Sequence, residues 1–185
     1  MAEVEAAGAL EMFGQAPPGL ARFDLLTSDM ARAVEGAELI LIAAMAARHQ
    51  SISAQLAPLL KNGQTVCFSA GNCGSVGLKK LLPRNLEVAV GEMSGNIMPC
   101  RIIGRAKVSS AFPYKTKNVA AFPAKDTARL IEGLKGVYDC APLKNVLEAT
   151  LNSPNVVAHL AGSLLNTCAI DRNPDFRLYT DGLSE

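Results

Sequence analysis

Tryptophan is absent from the 185-residue chain and aromatic residues make up only 5% of it, while the hydrophobic share is 49%. Its core must therefore rest on Ala, Leu, Ile and Val, a content that suits helices packed on a parallel sheet better than a β-sandwich. Charge of one sign is missing too: 18 basic residues face 17 acidic ones, for a net charge of +1. Without a basic face or a long charged run, neither nucleic acid nor a membrane surface has an electrostatic footprint here. The longest apolar run, Leu39 to Ala47, falls far short of the ~20 residues that cross a bilayer. The N-terminus, Met1-Ala2-Glu3-Val4-Glu5, lacks the basic start of a signal peptide, so a soluble, cytoplasmic protein is expected. Five scattered cysteines suggest no disulfide framework, and no Cys/His spacing suggests a metal site. Also absent is any Gly-x-Gly-x-x-Gly, the loop whose amides hold a dinucleotide pyrophosphate at a helix N-terminus.

What is present is an alternation of short apolar runs and amphipathic stretches. Phe23–Thr27, Leu39–Ala43, Thr65–Phe68 and Leu86–Val90 read as strands. Between them, helical spacing runs from Met30 to Val34 after a cap at Ser28 or Asp29, from His49 to Leu60, and from Val76 to Leu82, where Pro83 stops it. This rhythm predicts a doubly wound α/β sheet. Beyond Gly91, Arg101–Ile103, Lys107–Ser110 and Asn118–Ala121 read as short strands without long helices between them, compatible with an antiparallel edge on a parallel sheet. Lys125–Leu134 is an amphipathic helix, and from Pro142 onward the pattern is helical. A domain boundary is expected near Ala141-Pro142, separating residues 1–141 from residues 142–185.

The loop Gly71-Asn72-Cys73-Gly74-Ser75-Val76-Gly77 follows a predicted strand. It reads either as a tight strand-to-helix turn or as a ligand loop at the carboxyl end of a parallel strand, where open α/β sheets bind ligands. His159 lies on an apolar helix, where a packed core histidine is the plain reading and an acid/base the functional one. Asn155, four residues earlier, shares its face, as does Asn166; Asn152 is placed to cap the helix ahead of Pro154.

The order of these segments resembles the octopine/nopaline (opine) dehydrogenase family. The resemblance is carried by Thr27-Ser28-Asp29, by Val34-Glu35-Gly36-Ala37-Glu38 leading into Leu39–Ile42, and by Asn62-Gly63-Gln64-Thr65-Val66 leading to Ala70-Gly71-Asn72. It continues through Ala120-Ala121-Phe122-Pro123-Ala124, Asn145-Val146-Leu147-Glu148 and the stretch from Leu151 to Asn166. It implies a partial Rossmann-like, mostly parallel sheet with helices on both faces, followed by the start of a helical catalytic domain. It implies NAD or NADP as cofactor, bound weakly or not at all by this chain alone, and an amino acid and a 2-oxo acid as substrates. By family position His159 would be the acid/base with Asn155 beside it, and Ala44, Gly71 and Asn72 would contact the nicotinamide half. Glu92 and Arg101 keep the spacing of a family stretch near the nicotinamide and would bind substrate, although the family's Thr and Tyr are missing there.

Set against the family, the chain is expected to be an internal slice, without the phosphate-binding start and most of the second domain. Two rivals follow. Ketopantoate reductases and 6-phosphogluconate dehydrogenases share the plan but place a Lys with Asn on the corresponding helix, and Asn152 to Asn166 contains no Lys. The other is a non-catalytic remnant or assembly module. A homo-oligomer or a complementing fragment is expected as partner, because the strand at Leu39–Ala43 would otherwise expose an aliphatic edge.

Overall fold

The computed structural model describes residues 2–110 and 116–182, apart from the side chains of residues 2, 154–158, 179 and 180. After a short helix, α1 (Ala2–Ala7), two strands form a hairpin, β1 (Leu10–Gly14) and β2 (Gly19–Ala21). Then come α2 (Met30–Val34), β3 (Leu39–Ile42), α3 (His49–Leu56), β4 (Thr65–Phe68), α4 (Gly74–Leu81) and β5 (Ala89–Met93). The remainder comprises β6 (Cys100–Gly104), β7 (Lys107–Ser110), β8 (Lys117–Ala121), α5 (Thr127–Leu134), β9 (Cys140–Pro142) and the helices α6 (Val146–Leu151), α7 (Pro154–Leu165), α8 (Thr167–Arg172) and α9 (Leu178–Asp181).

The main sheet has five strands in the order β3-β4-β5-β8-β9, and every pairing is parallel except β5 with β8. Its two faces carry different helices, because strand side chains alternate. On one face Val66, Phe68, Val88 and Val90 pack with Leu56 of α3 and Leu78 of α4. On the other, Cys67, Met93, Val119 and Ala121 pack with Leu130 and Leu134 of α5. Helix α5 approaches closely: a Cβ on Gly91 would run into Leu130 and the Ala120 carbonyl. The all-buried residues of β4 and β5 are what a strand covered on both sides requires. The α/β expectation therefore holds, with a parallel core and helices on both faces.

The expectation of a strand at Phe23–Thr27 does not hold. That segment is irregular, and Phe23 and Leu25 stay 44% and 45% exposed. It pairs with no strand among the described residues, and Asp29 ends it by capping α2, its carboxylate accepting from the amides of Ala31 and Arg32. Nor do the strands near Lys107 extend the main sheet. They form a second sheet in the order β2-β1-β7-β6, in which β1 runs parallel to β7. Lys107 pairs there with Glu11 at 3.2 Å, and the Ser110 hydroxyl accepts from the Ala16 amide at 2.7 Å. The fourth expected strand, Leu86–Val90, begins later, at Ala89, and runs on through Glu92 to Met93.

Candidate functional site

The carboxyl ends of β3 and β4 open into a cleft of about 410 Å³ lined by Ala43, Ala44, Met45, Ser69, Ala70, Asn72, Asn96 and Ile97, among others. Small side chains on both loops keep it open, and it sits where parallel α/β sheets receive ligands. The floor is pinned by main-chain bonds. Ser69 N–H donates to the Ile42 carbonyl, Ala70 N–H donates to Gly95, and the Ser69 hydroxyl accepts from Ile97 N–H at 2.8 Å.

The wall after β4 is strained. Ala70, Asn72 and Cys73 all have positive φ, at 49°, 46° and 65°, a region that costs non-glycine residues about 1–3 kcal/mol each. Glu92 holds this loop in place. It is fully buried on β5, and its carboxylate accepts from four donors. Oε1 receives Cys73 N–H at 3.2 Å and the Thr150 hydroxyl at 2.9 Å. Oε2 receives Ser75 N–H at 3.3 Å and the Ser75 hydroxyl at 2.8 Å. A carboxylate at the start of α4 also meets the positive end of the helix dipole. Gly71 is required beside it, since a Cβ there would collide with the Glu92 side chain.

His49 braces the other wall. It is 5% exposed, its Nε2 lies 3.0 Å from the Ala44 carbonyl, and its ring meets Phe68 edge-on at 4.9 Å. The bond to a carbonyl makes Nε2 the donor. The opposite ring edge packs on Gly74, where a Cβ would sit 2.7 Å from Nδ1. One imidazole thus ties together the loop after β3, β4 and the first residue of α4.

Of the residues expected at the site, Ala44 and Asn72 line the cleft, and Gly71 lies in the backbone between Ala70 and Asn72. Asn72 is exposed and turns its amide back to the Ala70 carbonyl at 3.0 Å. Glu92, expected to touch substrate, lies beneath the loop with its carboxylate committed to four donors from the chain itself. Arg101 is on β6 in the second sheet, exposed, with Nη1 donating to the Cys100 carbonyl at 3.1 Å; it is not part of the cleft lining. His159 is an exposed residue of α7, also outside the lining, and the Asn155 side chain lies outside the described residues. Asn166 ends α7 and donates to the Gly162 and Gly182 carbonyls, so it ties helices together. Ser153, not Asn152, occupies the N-cap position of α7. Sequence reasoning missed Glu92's anchoring role and His49. The only signal was a charged residue at the end of an apolar run and a histidine directly after a strand-loop.

No family model matches the chain. Among curated proteins, it is 31% identical over 186 residues to an opine dehydrogenase of Arthrobacter sp. (strain 1C), a match covering 98% of this chain and 52% of that protein. The chain thus spans about half the length of this relative. Among solved structures, it is similar to octopine dehydrogenase in complex with NADH and pyruvate, with a TM-score of 0.70 at 16% identity, over 93% of this chain and 47% of that one. It is likewise similar to yersinopine dehydrogenase with NADP+ bound, with a TM-score of 0.62 at 17% identity, over 98% and 49% of the two chains. The resemblance to opine dehydrogenases therefore runs along nearly the whole chain, in sequence and in fold.

Proposed function

We propose that this chain carries the nicotinamide side of an opine-type, NAD(P)-dependent dehydrogenase, which joins an amino acid to a 2-oxo acid by reductive condensation. The observation that carries the reading is the small-residue cleft at the carboxyl ends of β3 and β4, on a chain 31% identical to an opine dehydrogenase. Ala44, Gly71 and Asn72 would hold the nicotinamide end, with the Ala44 carbonyl fixed by His49 and the loop of Gly71 and Asn72 fixed by Glu92. The cofactor supplies the hydride when bound. The chain's own part is the proton: forming or breaking the C–N bond of an opine moves one together with the hydride, and His159, with Asn155 on the same helix, is assigned to hold it. Arg101 is assigned to a substrate carboxylate, for which a guanidinium is the suited partner. The boundary between the dinucleotide-binding part and the helical catalytic part is placed near Ala141-Pro142, where β9 ends and only helices follow among the described residues.

The pyrophosphate half of a dinucleotide finds no equivalent support. The sequence contains no glycine fingerprint, and the start of α4 is not a substitute, because the Cys73 and Ser75 amides already donate to Glu92. A phosphate there would compete with a buried carboxylate. Binding by this chain alone should therefore be weak, with a Kd above about 100 µM, about 3 kcal/mol or more short of micromolar affinity. Calorimetric titration with NADH and NADPH tests the reading. Weak saturable binding that is lost in Ala44→Glu, which fills the cleft, is expected; binding that is absent, or indifferent to that substitution, would refute it.

A further inference from the structure

A cleft residue whose polar atoms are already bonded within the chain has little left with which to recognise a ligand. The Asn72 amide turns back to the Ala70 carbonyl, and the Ala44 carbonyl accepts from His49. Two side chains of the lining keep free hydrogen-bonding capacity, Ser69 and Asn96.

Ser69 follows β4, which has both of its sheet neighbours, β3 and β5, within the chain, so its setting does not depend on what lies beyond β3. It is only 7% exposed, and its backbone N–H donates to the Ile42 carbonyl. Its hydroxyl oxygen accepts from Ile97 N–H at 2.8 Å, and the hydroxyl hydrogen has no acceptor among the described residues. Ile97 in turn packs against the core on the α5 face. A hydroxyl whose oxygen is held by an anchored backbone amide is a fixed donor.

Asn96 lies on the segment between β5 and β6, where Gly95, at φ 85°, makes the turn. The backbone around it is pinned on both sides. The Gly95 carbonyl accepts from Ala70 N–H at 2.8 Å, the Asn96 carbonyl accepts from Lys117 Nζ at 3.1 Å, and Ile97 N–H holds Ser69. One segment therefore carries the Asn96 side chain and bonds the Ser69 hydroxyl, which fixes the two relative to each other. The Asn96 side chain is exposed and has no hydrogen-bond partner among the described residues. Its amide offers both a carbonyl acceptor and an NH2 donor.

We infer that Ser69 and Asn96 form a subsite for a primary carboxamide, Ser69 donating to its carbonyl oxygen and Asn96 accepting from its NH2. The inference rests on the nicotinamide reading of the cleft and names the groups that hold the carboxamide arm of the ring. A carboxylate or a phosphate fits less well, because no cation lines the cleft and an unpaired charge is costly to enclose. An amide presents an acceptor and a donor on one planar group, which is what a fixed hydroxyl donor and a free asparagine complement. Holding that arm fixes which face of the ring turns toward a substrate.

The test is titration of the full chain, followed by NMR shifts suited to weak ligands, with NADH and two reduced analogues. In the thionicotinamide analogue sulfur replaces the carbonyl oxygen; in the 3-acetylpyridine analogue a methyl group replaces NH2. Ser69→Ala should weaken NADH about fivefold and leave the thionicotinamide analogue within about twofold, the scale of one net hydrogen bond. Asn96→Ala should weaken NADH to a similar degree and spare the 3-acetylpyridine analogue. A merely structural loosening of the loop weakens all three dinucleotides alike. Should Ser69→Ala fail to fold, the exposed position 96 decides. NADH binding that Ala44→Glu abolishes but that is indifferent to both alanine variants, or equal losses for all three dinucleotides, would overturn the subsite and leave the cleft reading standing. A wild type that binds none of the three overturns both.

Discussion

Replacing Glu92 by Gln isolates the contribution of one charge and one acceptor at nearly constant volume. The carboxylate has two donors on each oxygen, one a backbone amide and one a hydroxyl: Cys73 N–H with Thr150 Oγ1, and Ser75 N–H with Ser75 Oγ. A glutamine must point its NH2 at one of these pairs. The hydroxyl of that pair can rotate and accept, but the backbone amide cannot, so whichever way the side chain turns one buried N–H is left facing another donor. An unsatisfied buried donor costs about 1–3 kcal/mol, and the surviving bonds lose the strength that a charged acceptor lends them. The expected destabilisation is about 2–4 kcal/mol. With a urea m-value of about 2 kcal/mol/M, the unfolding midpoint should fall by roughly 1–2 M. A cycle with Thr150→Val should show a coupling of at least about 0.5 kcal/mol, since the two side chains share a bond. A change below about 0.5 kcal/mol for Glu92→Gln, the range of surface substitutions, would refute the anchoring role.

In an assay of opine formation, alone or with a complementing fragment, His159→Asn should lower turnover about 10²–10⁴-fold with an unchanged melting temperature, and an unchanged rate would remove the acid/base assignment. Burial lifts the Cys67 thiol far above its ordinary range, with the Cys140 and Glu92 charges adding to the shift. The folded state therefore holds that proton more tightly than the unfolded chain. Stability should be intact below the ordinary thiol range near pH ~8.5 and fall as pH rises beyond it, and Cys67→Ala should flatten this slope in urea midpoints measured at neutral and alkaline pH.

Elements whose partners are near in sequence, or whose pattern is strong, were legible before any coordinates. β3, β4 and α4 fall within a residue or two of their expected positions, because continuous aliphatic runs and amphipathic spacing are local properties. The hairpin of β1 and β2 was not legible. Leu10-Glu11-Met12-Phe13 is short and mixed, and what makes it a strand is the parallel pairing of Glu11 with Lys107 and Met12 with Val108, far along the chain. Phe23-Asp24-Leu25-Leu26 has the apolar content of a strand and lacks a neighbour, so content alone misled. At the cleft, the loop of Asn72 could be placed because loops at carboxyl strand ends are predictable, and Ala44 came only with the family resemblance. Glu92 could not, because its donors come from residues 73, 75 and 150 and only the fold collects them.

That collection bears on how the cleft keeps its shape. A loop with three residues in the left-handed region would relax if it were free, since each such residue has lower-energy alternatives. It is held from below by a carboxylate on β5 and from the far side by Thr150 on α6, whose hydroxyl reaches both Glu92 and, at 3.6 Å, the Cys73 sulfur. Helix α6 itself rests on β8 through Ala120, Val146 and Ala149. The wall that Asn72 presents to the cleft is therefore set by contacts from both the sheet and the first helix beyond β9. Because Glu92 is enclosed, its charge acts inside the wall, fixing backbone amides, and not in the cleft, whose lining consists of uncharged side chains and main-chain groups. Such a surface suits a planar, uncharged ring better than a phosphate.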